Sequence, residues 1–432
     1  MRTTTTGVAL LAAALAAFFI TARSVTLHAQ GASTPQATGA PAQDDPIRTL
    51  VGRLDLEKYK ATIKGLTQFG DRRQGTDRNR AANDWIEKQL RSYGCSDVAR
   101  IKYEYAPAPR TAAAAGGGQA AAGGRGAGAG AATGGGQAAG AQGRGRGSAA
   151  PVKGNRRPTG VNNDPEKQLD AALRALDMQP TTPGSREEVY CTKVGTTRPE
   201  EMYIVSGHMD GIGYSEGAND NASGTALVME LARIFSSPDV QTDRSIRFVL
   251  WNNEETGLNG ARAYADQRGP LQGKEDPPGS GKYPEPKWLG VVAHDMMMFD
   301  HGMPGPDGKL NPEQRPEADV NIEFAGTSKM GAQAQELAWA FKNANDRYAT
   351  DYPAVVGNRM SNTDSAAFQD LAPSISLREL ERLSQVGNGW DPNWHQPTDV
   401  FTSFSDKDFR LGLNAAQTTL AGVAQLAGVK VK

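Results

Sequence analysis

Apolar residues along this chain switch repeatedly between two periods. Leu54 to Phe69 has them at helical spacing. Thr76 or Asp77 then caps a second helix, with Ala82, Trp85, Ile86 and Leu90 on its apolar face and Gly94 at its end. Val98 to Tyr105 (VARIKYEY) alternates as a half-buried strand does. After a long interruption the switching resumes. Glu188 to Val194 reads as a strand, and Met202 to Gly207 (MYIVSG) as a short buried parallel strand. Ala222 to Phe235 is an amphipathic helix, Ser245 to Trp251 a strand, Gly257 to Gln267 a helix and Trp288 to Met296 a strand. Strands near Val320 and Ser374, a helix over Lys329–Arg347 and a last helix over Asp406–Ala427 complete the set. Strands alternating with helices predict an α/β sheet covered on both faces.

The interruption is compositional. Of residues 111–150, 15 are Gly and 16 are Ala, with no acid and no large apolar side chain. Such a segment cannot bury enough surface to offset its ordering entropy. We expect a solvated surface insertion at about 107–163, with Asp164 to Leu176 forming a short helix on the return. The Arg-Gly pairs at Arg125, Arg144 and Arg146 fit the same solvated reading. Residues 269–287 are rich in Pro and Gly and read as a loop.

The first residues read differently. Arg2 precedes an unbroken apolar run of 13 residues, Val8 to Ile20, and Arg23 follows. A bilayer span needs about 20, so residues 1–29 are expected to be a secretory signal cleaved after Ala29. Residues 30–46 then form a flexible tether, and a peptide-chain domain of 47–432 carries the insertion. The expectation is an exported protein, periplasmic or secreted, with no stable membrane insertion after cleavage. Arg2 and Arg23 are the only charged residues of 1–29, which leaves 45 basic and 48 acidic residues. That near-neutral balance argues against a nucleic-acid partner. Two cysteines, Cys95 and Cys191, exclude a disulfide scaffold, a zinc ribbon and an iron–sulfur protein. An oxidising compartment permits a bridge between them, and the sequence leaves bridge and free thiols both open.

Chemistry collects where the strands end. Open α/β sheets bind ligands beyond the carboxyl ends of their strands. After MYIVSG come His208 and Asp210; the loop GANDNASG then holds Asp220. After SIRFVLW come Asn252, Asn253, Glu254 and Glu255, and WLGVVAHDM ends near Asp295. WHQPTD places His395 in a late loop. Singly, each is an ordinary surface His, turn Asp or solvated Glu pair. Together they offer two imidazoles and several carboxylates, a mixed N/O set suited to zinc, cobalt or manganese. One carboxylate can bridge two cations, and another must stay off them to move protons. His294 should face away from its neighbour Asp295. His301 lies in a loop beside Asp300, which is the rival to Asp295 but falls past the strand end.

These stretches, GHMD (207–210), GANDNASG (217–224), NNEETG (252–257), HDM (294–296) and HQPTD (395–399), resemble in order and spacing metallopeptidase family twenty-eight, of the bacterial leucyl aminopeptidase type. The resemblance runs from about Leu54 to the C-terminus, apart from the insertion. It implies a mixed, mostly parallel central sheet with helices on both faces. It implies two zinc ions, with cobalt or manganese as substitutes: His208 and Asp295 on one, Glu255 and His395 on the other, Asp220 bridging. Asp210 would orient His208, Asp399 would orient His395, and Glu254 would be the general base. The substrates implied are peptides, cleaved by metal-activated water. Gln396 and Val400 stand where the family usually has Thr, and Ala293 where Asn is common; none of these removes a ligand. Ser361 to Asp364 (SNTD) corresponds to the family's Ser-Asp element.

An aminopeptidase is the expected activity. A single-zinc glutaminyl cyclase is the rival, suggested by Trp394 directly before His395, although the segment after the paired Glu lacks the extra tryptophan of that branch. Carboxypeptidase relatives leave the polarity open. A non-catalytic binding domain of the same fold would have lost a ligand or the base, and this chain keeps all of them.

Overall fold

The computed structural model describes residues 45–106, 160–302, 311–314, 320–358, 363–379 and 391–432. The expected signal, nearly all of the expected tether, most of the Gly/Ala-rich insertion and Ser361 lie outside them. Twelve strands are described: β1 (Ala99–Tyr105), β2 (Gly184–Lys193), β3 (Arg198–His208), β4 (Val240–Thr242), β5 (Arg244–Trp251), β6 (Lys287–His294), β7 (His301–Gly302), β8 (Asn311–Gln314), β9 (Val320–Phe324), β10 (Ala354–Gly357), β11 (Ser374–Arg378) and β12 (Val429–Val431). Eight of them form one sheet in the order β1-β2-β5-β3-β6-β11-β9-β10. Its centre is parallel, with β3 between β5 and β6, and β6 beside β11. Antiparallel pairing joins β1 to β2, β2 to β5 and β9 to β11. The expected mixed, mostly parallel α/β architecture is the one found.

The helices are α1 (Pro46–Val51), α2 (Leu56–Thr67), α3 (Asp77–Ser92), α4 (Ala171–Asp177), α5 (Gly224–Phe235), α6 (Asn259–Arg268), α7 (Gly331–Tyr348) and α8 (Asp406–Ala427). The period-2 alternation of the central strands divides the core. Tyr203 and Val205 of β3, with Ile246, Phe248 and Leu250 of β5, pack with residues of α1, α2, α3, α5, α7 and α8. Their neighbours Met202, Ile204, Val249 and Trp251 face the other way, onto Ala261 and Tyr264 of α6 and Phe368. Helix starts follow local capping. Asp55 accepts from Lys58 N–H, Thr76 from Asn79 N–H, and Ser405 with Asp408 makes a reciprocal box at α8.

Several boundaries differ from the sequence reading. Asp45 and Pro46, placed in the tether, are the cap and first residue of α1. The return path is not one helix but a single turn at Pro165–Lys167 followed by α4. Gln168 breaks it, because its amide donates to the carbonyls of Tyr214 and Pro397 and its backbone extends to make that reach. The helix expected from Ala222 starts at Gly224, behind a distorted turn at Ala218–Ser223. β4, β10 and β12, three or four residues each, had no pattern long enough to be read. Cys95 and Cys191 form a disulfide across 96 residues, tying the end of α3 to β2. Among the described residues no helix is long and apolar enough to cross a membrane.

One buried cluster joins the N-terminal helices to the return path. Arg78 donates to Asp71, and its Nε lies 3.5 Å from Asp177 Oδ1. Asp71 N–H also donates to Asp177 Oδ1 at 3.1 Å. Burial and the adjacent Asp71 push the Asp177 carboxyl up to about 8, against the pull of Arg78. An acid whose folded pKa is raised stabilises the fold at low pH, and that contribution is lost as pH rises from its unfolded value near 4 toward 8. Asp177→Asn is therefore expected to flatten the fall in melting temperature between pH 5 and pH 8, read by thermal denaturation at both.

Candidate metal centre

The parallel strands deliver their loops to one end of the sheet. His208 is the last residue of β3. Its Nδ1 lies 3.0 Å from the Asp210 carbonyl oxygen, which leaves Nε2 pointing at two carboxylates. Asp295 Oδ1 lies 3.4 Å from that Nε2, and Asp220 Oδ1 lies 3.5 Å from it. The other oxygen of Asp220, Oδ2, is 3.0 Å from His395 Nε2, which is also 3.0 Å from Glu255 Oε2. One carboxylate thus faces two imidazoles. Potential ligand atoms of His208, Asp220 and Asp295 lie within 4.8 Å of one another, as do those of Asp220, Glu255 and His395. A third such group joins Glu254 to His208 and Glu255.

Local hydrogen bonds explain the convergence. β6 stops at His294, two residues before the expected end, because the turn at Ala218–Ser223 captures the next amides. Met296, Met297 and Met298 N–H donate to Asn221 Oδ1, Ser223 Oγ and Asn219 Oδ1. Asn221 Nδ2 returns a bond to the His294 carbonyl at 2.8 Å. Asp220 and Asp295 are thereby stitched together. After β5, Asn252 pairs by its amide with Asn79 of α3, and Asn253 adopts φ 65°, so the chain turns and sends Glu254 and Glu255 in different directions.

Two orienting residues work otherwise than the sequence suggests. Asp210 holds His208 by its backbone carbonyl; its carboxylate is 3.9 Å from the ring and instead accepts from Glu254 N–H at 3.0 Å. Asp399 does not orient His395. Its two oxygens accept from Asn219 N–H at 2.8 Å and Asp220 N–H at 3.0 Å, so it holds the shared carboxylate's loop. Among the described residues His395 Nδ1 has no hydrogen-bond partner, and the ring is stacked on Trp394 at 4.0 Å. Asp300 lies outside the cluster, accepting from the Tyr352 hydroxyl at 2.6 Å. His294 also stands apart, bonded to the Ser206 carbonyl and the Thr419 hydroxyl, and burial pulls it down to about 4.

Two neighbours, Arg378 and Glu188, were not singled out from the sequence, whereas Asp364 is the acid of the SNTD stretch. Arg378, at the end of β11, donates to Asp295 Oδ2 and so fixes the carboxylate from behind. The signal for it is a basic residue directly after the apolar run near Ser374. Glu188 on β2 and Asp364 are buried, and both have their carboxyls pushed well above the usual range, first by burial and then by neighbouring acids.

The donor set fits divalent cations. Burial works against charge on His395, yet Glu255 and Asp220 lift it to about 10; on His208, Glu254, Asp295 and Asp220 outweigh burial in the same way. Burial raises Glu255 to about 7 and Glu254 well above its usual range. The site thus gathers more negative charge than its own cations balance, and among the described residues Glu255 Oε1 is buried without a hydrogen bond. Imidazole with carboxylate oxygen is a zinc-type set.

Among the described residues, three overlapping groups of His, Asp and Glu at the strand ends could hold metal ions. Residues 189–417 match Peptidase family M28, and the chain belongs to that family. It is similar to Aminopeptidase YwaD of Bacillus subtilis, 33% identical over 116 residues, 27% of this chain and 24% of that protein. It is similar to Carboxypeptidase Q of Xenopus laevis, 37% identical over 71 residues, 16% and 15% of the two. A longer match, 27% identical over 249 residues, covers 57% of this chain and 45% of Probable lipoprotein aminopeptidase LpqL of Mycobacterium tuberculosis. The chain spans less than half the length of these curated relatives. The fold resembles the aminopeptidase from Aneurinibacillus sp. strain AM-1, at 19% identity, 88% and 96% coverage and a TM-score of 0.54. It resembles Porphyromonas gingivalis glutaminyl cyclase at 14%, 86% and 99%, and 0.50.

Two of the buried histidines, His294 and His395, separate by substitution. His395→Ala is expected to lower the zinc bound per chain. His294→Ala should keep full zinc content while losing about 1–3 kcal/mol of stability from its unsatisfied buried partners. Metal analysis and thermal denaturation on the same samples read both.

Proposed function

We propose that this chain is an exported metallo-exopeptidase that removes N-terminal residues from peptides. The observation that carries the reading is the Asp220 carboxylate, with one oxygen toward His208 and the other toward His395. In this reading His208 and Asp295 hold one zinc ion, Glu255 and His395 hold a second, and Asp220 bridges them; cobalt or manganese could replace zinc. Two such cations would lower the pKa of water and stabilise charge developing on the peptide carbonyl oxygen.

The chain's own residues do the rest. Glu254 is the general base: it takes the proton from the attacking water and returns one to the leaving amine. Asp210 holds Glu254 in place through its backbone N–H. Glu255 follows Glu254 directly, and the turn at Asn253 separates ligand from base. Arg378 engages the second oxygen of Asp295, which leaves Oδ1 for the metal. The peptidase domain in this reading is 47–432, with the Gly/Ala-rich stretch as an insertion. The Cys95–Cys191 bridge supports export, because disulfides persist in oxidising compartments. The reading of residues 1–29 as a signal supports it too.

Local similarity to Carboxypeptidase Q supports a second reading, the opposite polarity on the same centre. Aminoacyl-nitroanilides with free and N-acetylated amines, N-acylated dipeptides and an N-terminal glutaminyl peptide separate the possibilities. Cleavage confined to free amines is expected. Cleavage of the acylated dipeptides instead would establish carboxypeptidase polarity, and cyclisation of glutamine would establish a cyclase. Glu254→Gln is expected to keep bound zinc and lose about two to four orders of magnitude in kcat; unchanged turnover would remove Glu254 from its role.

A further inference from the structure

Arg72 is wholly buried, in a loop ahead of α3, and adopts φ 53°. Among the described residues it makes no ion pair. Its guanidinium instead donates to four backbone carbonyls. Nε bonds the Met209 oxygen at 2.6 Å, and Nη2 bonds the Gly217 oxygen at 2.8 Å. Nη1 bonds the Gly70 oxygen at 2.8 Å and the Glu216 oxygen at 2.6 Å. A buried cation is costly, and here burial outweighs the opposing pull of Asp71, Asp399, Asp210 and Asp177 at longer range.

The positions of those carbonyls matter. Met209 directly follows His208. Gly217 lies three residues before Asp220, and the N–H groups of Glu216 and Ala218 donate to the Asp399 carbonyl. One rigid, planar group therefore spans the loop that carries a histidine donor and the loop that carries the shared carboxylate. The fit is close: a Cβ at Gly217, which has φ 54°, would stand 2.8 Å from Arg72 Nη2 and 2.8 Å from the Asp220 backbone carbonyl oxygen.

We propose that Arg72 is a positioning residue that preforms the metal centre, locking the His208 and Asp220 loops at the spacing two cations require. It rests on the reading of this centre as a metal site. A lysine at this position would carry the charge but could not reach four carbonyls from one plane.

The test uses the full chain with Arg72→Met, Arg72→Lys and a control, Arg247→Met. Arg247 is equally buried, but it bonds Thr192, Tyr264 and Glu285, away from the strand ends. Zinc affinity is read by chelator competition, coordination geometry by the visible spectrum of the cobalt-loaded protein, and stability by thermal denaturation. Both Arg72 variants are expected to lose about 10- to 100-fold in zinc affinity, as removal of an orienting partner does, and to change the cobalt spectrum. Arg247→Met should lose stability and keep wild-type affinity and spectrum. If Arg72→Met does not fold, Arg72→Lys decides. Wild-type affinity and spectrum in the Arg72 variants, with zinc bound normally by the unaltered protein, would overturn this inference alone. Loss of affinity in Arg247→Met in step with its stability would overturn it as well, by reducing the effect to general destabilisation. An unaltered protein that binds no zinc would overturn the metal reading and this inference with it.

Discussion

The architecture depends on one electrostatic constraint: negative charge is gathered at the carboxyl end of a buried parallel sheet, where water cannot disperse it. Asp210, Asp220, Glu254 and Asp295 are all nine-tenths buried or more, and the Glu255 side chain is 4% exposed. Carboxylates at such a site must take up protons, pair with cations or ligate metals. The two imidazoles, lifted toward their charged forms, offset part of the charge. Arg378 offsets more at Asp295. The remainder is what makes divalent cations the natural occupants. Asp220 is the hub, since each of its oxygens belongs to a different imidazole.

Holding these groups so close requires every loop to be fixed from outside the cluster. The Ala218–Ser223 turn captures three successive amides after β6, and Asp399 captures two amides of the turn itself. Asn79 and Arg72 contribute from ahead of β1, outside the 189–417 stretch that matches the family. The N-terminal helices are thus part of the machinery's frame, and the Cys95–Cys191 bridge anchors that frame to β2.

Much of this was legible in the sequence, for reasons particular residues make clear. MYIVSG and SIRFVLW are apolar enough to be buried strands, and the polar residues that follow them must lie where those strands end. His208, Glu254 and Glu255 were visible that way. The α8 boundaries, Asp406 and Ala427, follow from a long periodic run between a cap and Gly428. What could not be read depends on contacts distant in sequence. Asp399 lies near His395 in the chain but its bonds run to Asn219 and Asp220. Asp210 acts on His208 through a carbonyl that every residue possesses. Arg72 sits in the polar run DRRQGT, which carries no periodicity, and only the fold brings it under two loops. Gln168 leaves the helical path because of carbonyls at Tyr214 and Pro397.

The proposed sharing of Asp220 by two cations is tested most directly by crystallography of the zinc-soaked protein, with anomalous data collected across the zinc edge. Two anomalous peaks about 3.5–4 Å apart are expected, one on each side of the Asp220 carboxylate, the first beside His208 and Asp295 and the second beside Glu255 and His395. A single peak, or two peaks without Asp220 between them, would contradict it.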